Sequence, residues 1–336
     1  MQQYTWRLFD VILSLGFTGK TRLFFTSSNS SFIECVRNYS PSSHILLSPL
    51  LSNDCNQGCS DHDFGSTNLT LDDNSSHEFT NCIWTDCSSF DAGAITFRNK
   101  QSSHLEVQQC IFTRCTSTYD DHQYSGGAIN AYNVHSVTVT ASFFLFCSAS
   151  SRSGGGINLV SIIHQPYIHN CDFIFCSAFQ DGGGVEIWLC SAEDNTIVCE
   201  NCRFISCSVP TNNDNRLGPW AGGILLWDNG NITRCSNLIF SLNEGYCAGA
   251  YGTDLNTDAP DFPLRFCFFY SNTATNGNDV CFRHYQGLYA THFFSHCFSA
   301  TKEERVVVYF SDDYSNWLPL SEWRYTKETR SDMIDE

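Results

Sequence analysis

The sequence has little charge, only 8 prolines and 2 methionines, and no long apolar run. Charged residues make up 16% of its 336 residues, against about 25% in ordinary globular chains. Low charge combined with 14% aromatic residues excludes a coiled coil, a long solvated helix and an acidic disordered tail. No segment shows a sustained apolar period of about 3.6 residues, so we expect little helix.

The N-terminal region does not contain a predicted membrane span. Its longest apolar run, residues 8–17, is interrupted by Asp10 and Ser14 and is far shorter than the roughly 20 residues that a spanning helix needs. Read as a signal peptide, it would carry an acidic residue in its apolar part and would lack a clear cleavage site. We therefore interpret residues 1–29 as an N-terminal cap of the fold.

Charge and cysteine content bear on partners and compartment. The chain has 18 Lys and Arg against 35 Asp and Glu, a net charge of −17. A phosphate backbone would be repelled, so we expect no nucleic-acid partner. Nineteen cysteines are typical of a small disulfide-bonded secreted protein, but this chain is large and the count is odd. The compartment stays open at this point.

A repeated motif, C-x-[FW]-x-x-C, dominates the sequence. Four full copies occupy residues 82–87 (CIWTDC), 110–115 (CIFTRC), 171–176 (CDFIFC) and 202–207 (CRFISC). Degenerate copies begin at residues 30, 142, 237, 267 and 292. Successive copies start 25 to 35 residues apart, except for one gap of 52 residues after residue 30. This gap predicts a further degenerate copy within residues 53–70, and the period itself indicates a stacked repeat fold.

A glycine-rich element follows most copies of the motif. It reads GGAI at residues 126–129, GGGI at 154–157 and GGGV at 182–185, with DAGAI, AGGI and AGAY as variants. An alternating stretch such as residues 134–140 (VHSVTVT) comes next and predicts a strand. Each period therefore holds two or three short strands separated by glycine turns.

Stacking of these periods would place equivalent residues in columns. The first cysteine and the aromatic residue lie two positions apart, so they face the same side of a strand. The predicted aromatic column is Phe32, Trp84, Phe112, Phe144, Phe173, Phe204, Ile239, Phe269 and Phe294. The predicted column of the second cysteine is Cys35, Cys87, Cys115, Cys147, Cys176, Cys207, Leu242, Asn272 and Cys297. We expect these cysteines to be buried thiols, with asparagine bonding adjacent backbones at the same bend.

Loop lengths indicate which edge of the stack varies. From the second cysteine position to the glycine element the distance ranges from 6 to 15 residues, whereas from that element to the next motif it ranges only from 13 to 17. Variation should therefore be confined to one edge, formed by residues 116–125, 148–153, 177–181 and 208–220. Loops on a rigid scaffold commonly carry binding contacts. The candidate binding ridge is Tyr119, Asp120, Asp121, His122, Tyr124, Arg152, Phe179, Asp214, Arg216 and Trp220.

The alternation of F-x-x-C or F-x-x-N with GGAI resembles the repeats of the chlamydial-type polymorphic membrane proteins, and similar cysteine-bearing sets occur in parasitic protists. The resemblance covers roughly residues 30–300. It implies an all-β fold, a right-handed parallel β-helix of the pectin-lyase-like class, with adhesion to host surfaces and a surface or extracellular location. The spacing predicts about nine or ten coils over residues 30–300. Residues 301–336 lack cysteine and are richer in charge, and we predict a C-terminal cap there: a last strand at residues 306–310 and an acidic tail, whose apolar residues Trp317, Leu318, Leu320 and Trp323 cover the open end of the stack.

Other sites were weighed against this interpretation. A glycan-active enzyme would need clustered carboxylates, and the candidates (Asp120 and Asp121, Asp181 and Glu186, Asp214) lie in different coils, where we interpret them as solvated loop acids. Cys55, Cys59 and His62, with His44, offer soft metal ligands but lack a second half at zinc spacing. Cys199 and Cys202 precede a motif strand, so a structural role is favoured over redox chemistry.

The sequence thus favours a non-enzymatic β-helical scaffold whose outer surface binds a protein or glycan partner and which needs no cofactor and no metal. The alternatives are a β-helix polysaccharide lyase or hydrolase and a purely structural paralogue. No nucleophile, phosphate-binding or metalloprotease motif was found in the sequence.

Overall fold

The structure is a computed structural model of the chain. It describes residues 14–15, 21–22, 58–118, 125–150, 153–188, 196–210, 221–228, 232–255, 264–274, 279–283, 294–295, 298–299, 308–311 and 317–319. The chain divides into two compact units, Met1–Asp54 and Cys55–Glu336. In the first unit, β1 (Ser14–Leu15) pairs antiparallel with β2 (Thr21–Arg22).

All regular structure in the described part of the second unit is β-strand. Its strands are β3 (Gly58–Ser60), β4 (Asp63–Gly65), β5 (Leu69–Leu71), β6 (His77–Thr80), β7 (Ile83–Thr85), β8 (Ser88–Ser89), β9 (Ile95–Gln108), β10 (Ile111–Thr113), β11 (Thr116–Ser117), β12 (Ile129–Thr140), β13 (Phe143–Leu145), β14 (Ser148–Ala149), β15 (Ile157–Val160), β16 (Tyr167–His169), β17 (Asp172–Ile174), β18 (Ser177–Ala178), β19 (Val185–Trp188), β20 (Thr196–Glu200), β21 (Arg203–Ile205), β22 (Ile224–Asp228), β23 (Ile232–Ser236), β24 (Ile239–Ser241), β25 (Glu244–Gly245), β26 (Tyr251–Leu255), β27 (Leu264–Arg265), β28 (Phe268–Tyr270), β29 (Thr273–Ala274), β30 (Val280–Arg283), β31 (Phe294–Ser295), β32 (Phe298–Ser299), β33 (Val308–Ser311) and β34 (Trp317–Pro319).

These strands form a parallel β-solenoid, as the repeat predicts. On one side, nine strands stack in the order β32-β28-β24-β21-β17-β13-β10-β7-β4. Seven of them (β7, β10, β13, β17, β21, β24 and β28) hold motif copies in register with one another, so that Phe112 pairs with Trp84 on one side and with Phe144 on the other. The predicted strand at residues 134–140 lies within β12, and the parallel pairing of β9, β12 and β15 carries the long side of each turn.

The solenoid has about six turns, fewer than the nine or ten coils that the repeat count predicts. The third side of the turn explains why the number of turns is smaller than the number of motif copies. There, β8, β11, β14 and β18 form a four-stranded sheet and β25 pairs with β29, which gives a strand on this side in six turns. Between these groups, the described turn has only isolated bridges at Ser208. Motif copies therefore outnumber turns in which all three sides are formed.

Two sharp bends flank each three-residue strand of the nine-stranded sheet. A non-glycine residue with a positive φ precedes the first cysteine, as at Asn81, Asn170, Asn201 and Asn237 (φ 53–55°). Asparagine tolerates this left-handed conformation better than most residues. A second set of positive-φ residues precedes the second cysteine or the asparagine that replaces it: Asp86, Arg114, Phe146, Phe175, Ser206, Leu242 and Ser271. These bends close the turns without interrupting the stacking.

The interior aromatic column has eight described members. Its members are Phe64, Trp84, Phe112, Phe144, Phe173, Phe204, Phe240 and Phe269, with successive ring centroids 4.4–5.3 Å apart. Phe64 confirms the predicted extra copy within residues 53–70. Two predicted members are wrong. Phe240, not Ile239, pairs with Phe204, and Phe294 lies in β31, which pairs with β27 outside the motif sheet.

The prediction that length varies at one edge only is also wrong. Between the two strands of the long side, the connection has 6 residues from β15 to β16, 7 from β19 to β20, 3 from β22 to β23 and 8 from β26 to β27. In β9 and β12 the two strands of the long side are continuous. The difference in length between β9 and β12 is accommodated by a register shift between Val134 and Ser136. The solenoid therefore has a second variable edge.

In the C-terminal part of the solenoid, the pairing of the described strands changes from parallel to antiparallel. The predicted last strand at residues 306–310 appears as β33, which pairs parallel with β30. Residues Trp317 and Leu318, predicted to help cap the stack, lie in β34, which runs antiparallel to β33.

The glycine corner tolerates no side chain at Gly155. A Cβ atom built there would lie 2.1 Å from the carbonyl oxygen of Gly183 in the next turn and 2.4 Å from that of Ser177. Because both obstacles are backbone, relief requires separating adjacent turns. We expect Gly155→Ala to lower the free energy of unfolding by about 1–3 kcal/mol, measured by urea unfolding.

The control for this prediction is Gly65→Asn. Gly65 has a φ of +53° and nothing within 4 Å of its built Cβ, and asparagine tolerates that conformation. Equal losses for Gly155→Ala and Gly65→Asn would contradict the close approach of the turns.

Candidate functional site: the interior and outer faces of the turns

The interior cysteines form hydrogen-bonded columns. Fourteen of the described cysteines are buried free thiols, which confirms the prediction of buried thiols for this part of the chain. In the second column, Cys176 Sγ lies 3.5 Å from the carbonyl oxygen of Phe144 and Cys207 Sγ 3.3 Å from that of Phe173. Each thiol therefore donates to the turn before it.

Asparagine takes over the same role further along this column. Asn243 Nδ2 donates to the carbonyl oxygen of Phe204 at 3.0 Å, and Asn272 Oδ1 accepts a bond from Asn243 Nδ2 at 3.0 Å. The predicted asparagine ladder is thus confirmed, but Leu242 was assigned to it wrongly. Leu242 lies at the preceding bend and is 53% exposed.

The thiols are unsuited to nucleophilic or redox chemistry. Burial raises the pKa of Cys147, Cys171, Cys176 and Cys202 well above the ordinary value of a thiol, and a reactive cysteine needs a lowered pKa and access to solvent. Cys199 lies in β20, in the interior. The structural interpretation of Cys199 and Cys202 is therefore supported by their position.

Two acidic residues that the sequence indicated as solvated loop acids are in fact buried. Asp181 is 9% exposed and Glu186 4% exposed. Glu186 pairs in register with Asn158, which pairs with Asn130, and Asn158 Nδ2 donates to Asn130 Oδ1 at 3.0 Å. The correction has a physical cause: both acids adjoin the glycine corner, where adjacent turns approach most closely.

Three histidines that the sequence reasoning missed lie together. The ring centroids of His104 and His135 are 4.6 Å apart, and those of His135 and His164 are 4.1 Å apart. Burial, and then the neighbouring histidines, lower the pKa of His104. Their spacing of 31 and 29 residues matches the repeat period, which was the signal available in the sequence.

The described turns contain no candidate metal-binding site. Among those residues, no group of three or more His, Cys, Asp or Glu side chains is positioned to hold a metal ion. Of the metal ligands considered from the sequence, Cys55 and His44 lie outside the described residues. The ring of His62 packs edge-on against that of Phe64, with 4.5 Å between the two ring centroids.

The candidate ridge lies mostly outside the described residues. This holds for Tyr119, Asp120, Asp121, His122, Tyr124, Arg152, Asp214, Arg216 and Trp220. Phe179 is described and is 40% exposed. The backbone N–H of Phe179 donates to the carbonyl oxygen of Ala149 at 3.0 Å. In the two preceding turns, the N–H of Ser150 donates to the carbonyl oxygen of Ser117, and the N–H of Thr118 donates to that of Ser89. The starting points of the variable segments are therefore stacked in one column.

A second candidate surface is the outward face of the nine-stranded sheet with the bend that follows it. We name the apolar face by its central members: Phe146, Phe175 and Leu242, which are exposed, Ile174 and Ile205, which are partly exposed, and Leu145, which is only 8% exposed. The rings of Phe146 and Phe175 stack at 5.0 Å and 7°, and both are about 40% exposed. Beside them an ion pair joins Arg203 to Asp172 in the preceding turn. Apolar groups presented together in this way mark interaction surfaces.

Comparisons with protein-family models, with curated proteins and with solved structures gave no match to this chain. Within the part of the chain that the structure describes, no helix has the length and apolar character needed to cross a membrane.

Proposed function

We propose that this protein is a non-enzymatic scaffold of the adhesin kind, which binds a protein or glycan partner through loops held along one side of its turns. We further propose a right-handed solenoid of the pectin-lyase-like class, related to the polymorphic membrane proteins. Support for this assignment comes from the paired motifs quoted above and from the parallel stacking of the turns.

One observation carries the proposal. The third residues of three variable segments, Thr118, Ser150 and Phe179, occupy one column, held to the preceding turns by backbone hydrogen bonds. The far ends are also aligned, since Ala92 bridges to Gly126 and Ser153 to Asp181. A rigid row of aligned attachment points lets loop length and composition vary without cost to the stack. Such an arrangement suits recognition rather than catalysis by a single set of side chains.

The test measures binding of the labelled full chain to cultured epithelial cells and to a glycan array. We expect that shortening residues 208–220 to the length of 177–181 will weaken binding at least about tenfold and leave the unfolding midpoint nearly unchanged. A matched control shortens residues 189–195, on the other variable edge, and should keep binding. Loss of binding in both variants alike, or release of products from polysaccharides, would contradict the proposal.

A further inference from the structure

We propose that two copies of this chain pack face to face through the apolar face, with their solenoid axes antiparallel, across a two-fold axis parallel to the strands. The axis passes between the turns of Asp172 and Arg203. This surface belongs to a different sheet from the loop attachment points, so the inference stands apart from the proposed function.

Charge complementarity selects this arrangement. A two-fold axis parallel to the strands keeps each column of residues opposite itself and reverses the order of the turns. Asp172 of one copy then faces Arg203 of the other, and the reverse contact occurs at the same time. A two-fold axis along the solenoid that passes through the same column would instead place Asp172 opposite Asp172 and Arg203 opposite Arg203, which costs free energy.

Side-chain size fits the same axis. In the column after the aromatic one, the reversed order places Ile174 opposite Ile205 and Leu145 opposite Ser241. In the bend column it places Phe175 opposite Ser206 and Phe146 opposite Leu242. Large residues thus face small ones or residues of moderate size, as in packed sheets about 10 Å apart whose side chains interdigitate.

Backbone conformation provides an independent reason to expect a function for the phenylalanines. Phe146 and Phe175 both have a φ of 54°, and a bulky side chain is rarely found in this left-handed region, which costs roughly 1–3 kcal/mol. Other turns place Asp86, Arg114, Ser206 or Ser271 at this bend. Folding therefore does not require an aromatic residue there, whereas an interface that buries the exposed rings would use it.

The expected dimer is weak, because the surface is small. The seven stacked motif strands at ~4.8 Å by four residues at ~3.3 Å give a face of roughly 34 by 13 Å. Interfaces of this size bind transiently, with a dissociation constant of roughly 1–100 μM.

The test uses sedimentation velocity on the full chain under reducing conditions, over a concentration series reaching about 200 μM. We expect the wild type to dimerise, and Asp172→Arg and Arg203→Glu each to remain monomeric, since each homodimer would contain two repulsive contacts. An equimolar mixture of the two variants should dimerise again, because every cross-copy contact is then between opposite charges. The control is Arg114→Glu, which breaks a similar pair with Asp86 but faces Ser271 in the dimer and should still dimerise.

A double variant, Phe146→Asn with Phe175→Asn, separates an interface role from a structural one. Asparagine tolerates the positive φ, so we expect a monomer whose unfolding midpoint is no lower than that of the wild type. A wild type that stays monomeric throughout the series, or a variant mixture that stays monomeric, would overturn the inference. A lower midpoint for the double variant would overturn the assignment of the two rings to the interface.

Discussion

Raising the pH from 8.5 to 10.5 is expected to unfold this protein, because its interior cysteines cannot ionise in the folded state. Burial raises the pKa of Cys147, Cys171, Cys176, Cys202 and Cys235 above the ordinary thiol value. In the unfolded chain the same thiols ionise near pH 8.5–9. Above that pH the folded state holds more protons than the unfolded state, so the free energy of unfolding falls as the pH rises.

The expected size of the effect is large. Each thiol that ionises only on unfolding removes about 1.4 kcal/mol per pH unit, and five of them remove about 7 kcal/mol per unit. This is comparable with the whole stability of a typical domain, about 5–15 kcal/mol. The stabilisation is fully present below about pH 8.5 and is lost progressively above it. Urea unfolding at intervals of half a pH unit, in reducing buffer, measures the slope.

The control is a variant with Cys147→Ala and Cys176→Ala. It starts less stable because it loses two buried sulfur atoms, but its stability should fall less steeply with pH, by about 3 kcal/mol per unit. Comparing slopes rather than absolute stabilities separates ionisation from packing. A wild-type stability that is flat between pH 8.5 and 10, or equal slopes in both proteins, would show that the thiols are not the groups responsible.

The stacked fold could be predicted from the sequence because each repeat marks both of its bends and its interior strand. Cysteine and aromatic residues recur at positions that must face inward, and a column of identical residues buries itself turn by turn. Phe64 shows the strength of this signal. Its local sequence is barely recognisable as a motif, yet the 52-residue gap predicted a copy within residues 53–70, where Phe64 lies.

The strand register predicted from the sequence was wrong where several apolar residues follow one another. At residues 238–243 (LIFSLN), both Ile239 and Phe240 fit an aromatic or aliphatic interior position, and a shift of one residue exchanges the two faces of a strand. Asn243 decides between them, because its side chain bonds the backbone of the adjacent turn. A motif of the form F-x-x-N, applied strictly, places Phe240 inside and leaves Leu242 at the exposed bend.

The candidate surfaces were harder to predict, for a physical reason. Interior columns repeat in every turn, since stacking demands it, whereas outward positions change from turn to turn and look like noise. The apolar face consists of those changing positions, and becomes visible only when the register shows that Phe146 and Phe175 are stacked neighbours. The burial of Asp181 and Glu186 likewise depends on how closely turns approach at the glycine corner, which spacing alone does not reveal.

Substitution of two phenylalanines in the same turn should show how sharply the interior and the outer face differ. Phe173 is fully buried, with its ring between those of Phe144 and Phe204 at 4.7 and 4.9 Å. Phe175 lies two residues further on and is 39% exposed. We expect Phe173→Ala to lower the free energy of unfolding by about 3–5 kcal/mol, because it removes a large side chain and leaves a cavity in a column that cannot collapse.

Phe175→Ala should cost less than about 1.5 kcal/mol, since it removes one exposed stacked pair. Urea unfolding of both variants, at a concentration low enough to keep the wild type monomeric, measures the difference. Losses of similar size would mean that the bend ring stabilises the turn as much as the interior ring does. In that case the positive φ at Phe175 would be a feature of folding, and the left-handed strain would no longer argue for an interaction surface.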